Sequence, residues 1–115
     1  MQYLLTLYAD DSAWDKMTPE QQQQGIAVYA AYTQALKSAG AFVGSNRLRP
    51  AATATTVRTT NGKTQVLDGP FAESKEQMGG YFLIDAPDLD AAMKWAGRCP
   101  GSQHGIVEVR AIWTM

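Results

Sequence analysis

The sequence predicts an α+β domain in which a split β-α-β repeat carries a β-hairpin at its middle. Three observations carry that reading. Two segments of helical length open on capping residues, Thr18 and Asp88, and each lies between stretches rich in aromatic and branched side chains. Thr- and Val-rich runs flank Asn61-Gly62, the dipeptide best suited to a two-residue hairpin turn. Tyr81 to Ile84 sets four large residues in a row, the pattern of a strand covered on both faces. At 115 residues the chain is expected to be one domain, 1–115, on a single core.

Each element follows from local chemistry. Gln2 to Tyr8 is the first strand, with Thr6 interrupting its apolar run; Asp10-Asp11-Ser12 ends it, and Trp14 is expected in a short linker, capping the core edge. Thr18-Pro19-Glu20-Gln21 starts a helix: Thr18 can accept from the N3 amide, Pro19 suits N1 and Gln21 can reach back. Ile26, Tyr29, Ala30 and Leu36 are expected on its buried stripe, and Gly40 at its C′ stop. Ala41 to Arg49 reads as the second strand, ended by Pro50. Thr53 to Thr60 and Lys63 to Leu67 form the hairpin, in which a two-residue loop sets Val57 opposite Val66 and Arg58 opposite Gln65.

The chain must leave that strand at Asp68, because Gly69 can take a positive φ and Pro70 donates no hydrogen bond. Phe71 is expected to plug this turn onto the core, while Gly79-Gly80 lets the backbone bend or approach a neighbour before the strand at Tyr81. Asp88 caps the second helix, with Leu89, Ala92, Met93 and Ala96 on one stripe; Gly97 to Gly101 ends it. In the last strand, Ile106 to Trp113, Val107, Val109 and Ala111 alternate with Glu108 and Arg110. Two helices cover one face of such a sheet, yet Tyr3 to Tyr8 and Tyr81 to Ile84 carry large side chains on both. A symmetric homodimer packed sheet on sheet is therefore expected.

Composition narrows the function classes. With 45% hydrophobic and 18% charged residues the chain has the make-up of a soluble globular domain, and a net charge of -1 offers no field for gathering phosphate backbones, so nucleic acid is not an expected partner. No stretch approaches the roughly 20 apolar residues that cross a bilayer. Cys99 is the only cysteine and has no internal disulfide partner; together with an N-terminus that enters a strand directly, this fits a reducing cytoplasm.

Asp68-Gly69-Pro70-Phe71 and its continuation to Asp85, with Gly44-Ser45-Asn46-Arg47-Leu48, Ala52 to Arg58, Arg98-Cys99-Pro100 and His104-Gly105, resembles the YCII-related family in its DGPF-containing branch. The resemblance implies a ferredoxin-like domain that pairs into a dimeric α+β barrel. It also implies a small polar or aromatic ligand, with lyase- or isomerase-type acid/base chemistry. The alternative it implies is a regulatory partner of extracytoplasmic-function sigma factors. The histidine-aspartate pair of related proteins falls, by spacing from Gly40 and Pro100, on Tyr29 and Cys99, so that pair is missing here.

The residues that could carry chemistry are few. His104 is the only side chain with an ordinary pKa near neutrality, and Gly105 beside it is expected to leave room for an approaching group. Asp68 at the Gly-Pro turn is the candidate acid partner; an ordinary turn aspartate and a locally bonded loop histidine are the alternatives. Arg47 and Arg58, with Tyr29 and Tyr81 as walls, are the candidate substrate-binding residues at the strand ends. Cys99 reads as a small core residue in preference to a nucleophile. A lone histidine without spaced cysteines makes a transition-metal site improbable, and neither a phosphate loop nor a dinucleotide fingerprint calls for a cofactor.

Overall fold

Strand β1 (Gln2–Ala9) is the spine of the fold, paired along both edges. A computed structural model describes residues 1–114. The main sheet has the order β2 (Phe42–Arg47), β5 (Gln77–Asp85), β1, β6 (Ile106–Ala111), every pair antiparallel, which is the ferredoxin-like arrangement of a split β-α-β repeat. Tyr3, Leu5, Phe82 and Ile84 point to one face and meet Tyr32 and Leu36 of α2 (Pro19–Ser38) and Ala92 and Ala96 of α3 (Leu89–Arg98) in a single core. Leu5, Leu36, Ile84 and Cys99 are fully buried.

Helix α2 begins and ends as its residues dictate. The Gln21 N–H donates to Thr18 Oγ1 at 3.2 Å and the Thr18 N–H to Gln21 Oε1 at 3.0 Å, a complete capping box. At the other end Gly40 has φ +72°. The Ala41 N–H reaches Leu36 O at 2.9 Å and the Gly40 N–H reaches Lys37 O at 3.1 Å, closing a Schellman motif. The buried stripe differs from the expected one: Ile26 is 55% exposed and Ala30 is exposed, while Tyr32 is buried. Trp14 also differs, for it sits on a one-turn helix, α1 (Ser12–Asp15), which packs on Gly25 and holds the first half of α2 away from the sheet.

The hairpin of β3 (Thr55–Thr60) and β4 (Lys63–Asp68) has the expected register, Val57 opposite Val66 and Arg58 opposite Gln65. Its turn residues, Asn61 at φ +51° and Gly62 at φ +76°, have the positive angles of a type I′ turn. The strand stops at Asp68 because Gly69 then turns with φ +104°. The hairpin forms a sheet of its own, and Phe71 is 78% exposed. Phe71 therefore does not plug the core: the Gly-Pro turn lies at the base of the hairpin, where Phe71 lines an open groove with Met78 and its ring sits 5.9 Å from the Arg58 guanidinium.

Gly79 is the extra residue of a bulge, since Leu7 pairs with Gly80 and Tyr8 with Met78. Gly80 allows β2 to come close; a Cβ there would stand 2.9 Å from the Asn46 carbonyl oxygen. Asp88 caps α3, accepting the Ala91 N–H at 2.9 Å. Leu89 and Met93, expected on the buried stripe, are 50% and 48% exposed, because α3 is docked along Ala92, Trp95, Ala96 and Cys99. A further turn, α4 (Gly101–His104), leads into β6. Val107 and Val109 pack on the core as the alternation requires. On the face away from the helices, Leu4, Tyr8, Tyr81 and Leu83 are only half-buried and Ile106 is 52% exposed, so among the described residues no element covers that side.

Candidate functional site

The gap that α1 wedges open between the first half of α2 and the sheet is a cleft of about 790 Å³. Its floor is Leu7, Gly80 and Phe82 of the sheet; Trp14, Ile26 and Tyr29 line it on the helix side, Arg47 along β2, and Arg98, Pro100 and His104 complete it; Tyr81 borders it from β5, with its side chain on the opposite face of the sheet. Ile26 and Val28, exposed apolar residues on a surface helix, are accounted for as cleft lining and not as core.

Of the residues expected to form a site, Tyr29, Arg47, Tyr81 and His104 come together around this cleft. Asp68 and Arg58 do not line it within the chain. Both lie on the exposed hairpin, Asp68 paired with Thr55 at its base and Arg58 opposite Gln65, because the hairpin does not join the main sheet. His104 is exposed at the end of α4. Gly105 does not make room beside it: a Cβ at that position would fall on the backbone of Tyr8, so this glycine serves the close packing of the chain against β1.

The cations of the cleft are held in an unusual way. The Arg47 guanidinium lies 4.2 Å from the Trp14 ring centroid and that of Arg98 lies 4.3 Å from the Trp95 ring. Among the described residues the only ion pair joins the N-terminal amine to Asp85, so neither arginine has a carboxylate partner. Two of the three acidic groups that line the cleft, Asp10 and Asp11, are held by local hydrogen bonds, while Asp15 has none among the described residues. Asp10 accepts the Ser12 N–H at 2.9 Å and the Ser12 hydroxyl at 2.7 Å, which together hold its carboxyl below the usual range. Asp11 Oδ2 accepts the Ala51 N–H at 2.7 Å and pins the segment after β2 to α1. Among the described residues the cleft thus leaves two guanidiniums and the Tyr29 hydroxyl as donors without partners, beside one free carboxylate, Asp15.

Tyr29 stacks on Phe82 with centroids 6.4 Å apart and planes 7° from parallel. Burial pushes its hydroxyl up to about 12, with nearby Cys99 adding to the rise and Arg47 opposing it, so at neutral pH the group is a proton-bearing donor. Burial likewise raises Tyr32, whose hydroxyl donates to Trp95 O at 2.7 Å, and Cys99, a core thiol held in its unreactive form. The two tyrosines stay neutral in the folded state while they ionise near 10 in the unfolded chain. Stability is thus fully present below pH 10 and is lost as pH rises toward 12. The urea midpoint is expected to hold up to about pH 10 and then fall, and Tyr32→Phe to lower the curve but flatten its alkaline limb.

Sequence reasoning missed Trp14 and Arg98 as cleft residues. Trp14 carried a signal, a large aromatic in a polar linker directly after a strand; Arg98 stood in the Arg98-Cys99-Pro100 segment of the family resemblance, but its place on the cleft depends on how α3 docks.

Comparison with known proteins agrees with this architecture. The chain is 36% identical over 96 residues to an uncharacterized protein of Rhizobium meliloti (strain 1021), covering 84% of this chain and 77% of the relative. Its fold is similar to that of 5-chloro-2-hydroxyhydroquinone dehydrochlorinase (TftG) from Burkholderia phenoliruptrix AC1100, solved in complex with 2,5-dihydroxybenzoquinone. That likeness has a TM-score of 0.56 at 14% identity and covers 99% of this chain and 94% of the other. These comparisons lend the sigma-factor association no support. Among the described residues no helix is long and apolar enough to cross a membrane. The model of the YCII-related domain matches residues 1–115, and the chain belongs to the YCII-related family.

Proposed function

We propose that the cleft binds a small planar ring bearing anionic or carbonyl oxygens, of the hydroxyquinone or phenolate class. The observation that carries this reading is the donor set. Among the described residues Arg47, Arg98 and Tyr29 present N–H and O–H groups without acceptors of their own, and Trp14 and Tyr29 supply aromatic walls. A ligand rich in acceptors and flat enough to stack satisfies both. The dihydroxybenzoquinone bound by the dehydrochlorinase of similar fold has this chemistry. Of the lyase- and isomerase-type chemistries, the step proposed here is a tautomerisation: His104 takes a proton from a ring carbon as protonated Tyr29 gives one to a ring carbonyl oxygen, so a C–H bond breaks, an O–H bond forms and no cofactor is consumed. Asp68 and Arg58, outside the cleft of the same chain, have no part in this step.

The working unit proposed is a homodimer. The open sheet face, with Leu4, Tyr8, Tyr81, Leu83 and Ile106, is the surface that a second sheet would cover. Tyr81 borders the cleft from β5 while its side chain lies on this open face, its hydroxyl accepting from Asn46 Nδ2 at 2.8 Å.

Calorimetric titration with 2,5-dihydroxybenzoquinone tests the binding. One site per chain is expected, with a thermal transition that climbs as ligand is added in excess of its dissociation constant. Absence of both heat and thermal shift, with this compound and with simple hydroquinones, would overturn the reading.

A further inference from the structure

The β3–β4 hairpin is the part of the molecule that the cleft does not explain. Every residue of its two strands except Thr56 is exposed, and it shares no ladder with the main sheet. A lone two-stranded hairpin is marginal in water. This one also carries an apolar cross-strand pair, Val57 at 61% exposure and Val66 at 63%. At its base is a groove of about 450 Å³ lined by Leu48, Pro50, Ala54, Pro70, Phe71 and Met78. The arm reaches far enough to give the chain a radius of gyration of 16.1 Å, where about 13 Å is usual for this length.

Dimensions select the occupant. Four strands about 4.8 Å apart and some six residues long make an open sheet face of roughly 20 by 20 Å, or about 400 Å² in projection. A standard stable interface buries about 800 Å² per partner. One face of the hairpin adds about 200 Å² in projection, half as much again as the sheet, and the groove at its base adds more, so the arm substantially enlarges the contact that the sheet alone would make. Both unsatisfied surfaces belong to the same chain, and a two-fold axis uses each of them once per copy and leaves no open end.

We propose that the β3–β4 hairpin is a clasp that lays its Val57–Val66 face against a second copy of this chain. The proposal rests on the homodimer described above and adds to it the element that makes it stable. Leu48 and Pro50 line both the hairpin groove and the ligand cleft, so the clasp closes next to the binding site.

Sedimentation of the full chain and of the double variant Val57→Thr/Val66→Thr tests it. Threonine keeps the shape and strand preference of valine, so the hairpin persists while its apolar contact is lost. The full chain is expected to run at twice its 12.5 kDa mass, and the variant to dissociate at least tenfold more readily. A second measurement uses the unaltered protein: tryptic cleavage after Lys63 is expected to slow as protein concentration rises. A dimer that the variant does not weaken, or cleavage indifferent to concentration, overturns the clasp and leaves the sheet-on-sheet dimer standing. A monomer at all concentrations overturns both.

Discussion

Gly105→Ala is expected to cost about 3 kcal/mol of stability, the upper end of what overpacking does. Gly105 precedes Ile106, which pairs with Tyr8 at the end of the β1–β6 ladder, and the backbone there runs hard against β1. A methyl group would meet the Tyr8 carbonyl and the Ala9 Cβ, backbone and near-backbone atoms that no side-chain rotation can move aside. Its φ of -154° is open to any residue, so crowding alone sets the effect. Gly97→Ala gives the contrast. That glycine lies within α3 with open space where a Cβ would stand, so alanine there is expected to stabilise by up to about 1 kcal/mol through helix propensity. Urea unfolding of the two variants should move the midpoint in opposite directions. Equal midpoints would mean that β6 can slide away from β1 at little cost.

Gly105 also shows where sequence reasoning reaches its limit. Features decided within four residues were legible: the Thr18–Gln21 capping box, the Gly40 stop, the Asn61-Gly62 turn and with it the whole hairpin register. Their hydrogen bonds are local, so no distant part of the chain can overrule them. Strand order was legible too, because the alternation of elements admits few antiparallel topologies. The buried stripe of α2 was not, since Ile26 and Tyr32 are both plausible core residues and the choice between them depends on Trp14 propping the helix off the sheet. Of the candidate site, Tyr29, Arg47, Tyr81 and His104 all border the cleft, Arg47 and His104 from the ends of β2 and α4, Tyr29 and Tyr81 from the middles of α2 and β5. Asp68 and Arg58 stay apart from them because nothing in the hairpin's own sequence says whether it joins the main sheet or stands clear of it.

Arg47→Met is expected to weaken binding of an acceptor-bearing ring by about 10- to 100-fold. A hydrogen bond to a charged group contributes roughly 1.5–3 kcal/mol when its partner has no other, and each 1.4 kcal/mol is tenfold in affinity. Methionine retains an apolar stem that can still lie on Trp14, so the loss isolates the guanidinium. The fold should be indifferent, because Arg47 is exposed and among the described residues has no carboxylate partner; its urea midpoint should stay within about 0.5 kcal/mol of the parent. Arg47→Lys separates charge from shape. A compact ammonium keeps the charge but gives up the planar fork and the stacking on Trp14, so intermediate affinity is expected if the ring oxygen is gripped by two N–H groups. Tyr29→Phe removes a neutral donor and should cost only about 1 kcal/mol in binding, yet it should abolish any proton transfer to the ring oxygen. Calorimetry on the three variants ranks these contributions, and an Arg47→Met protein that binds like the parent would place the ligand somewhere other than this cleft.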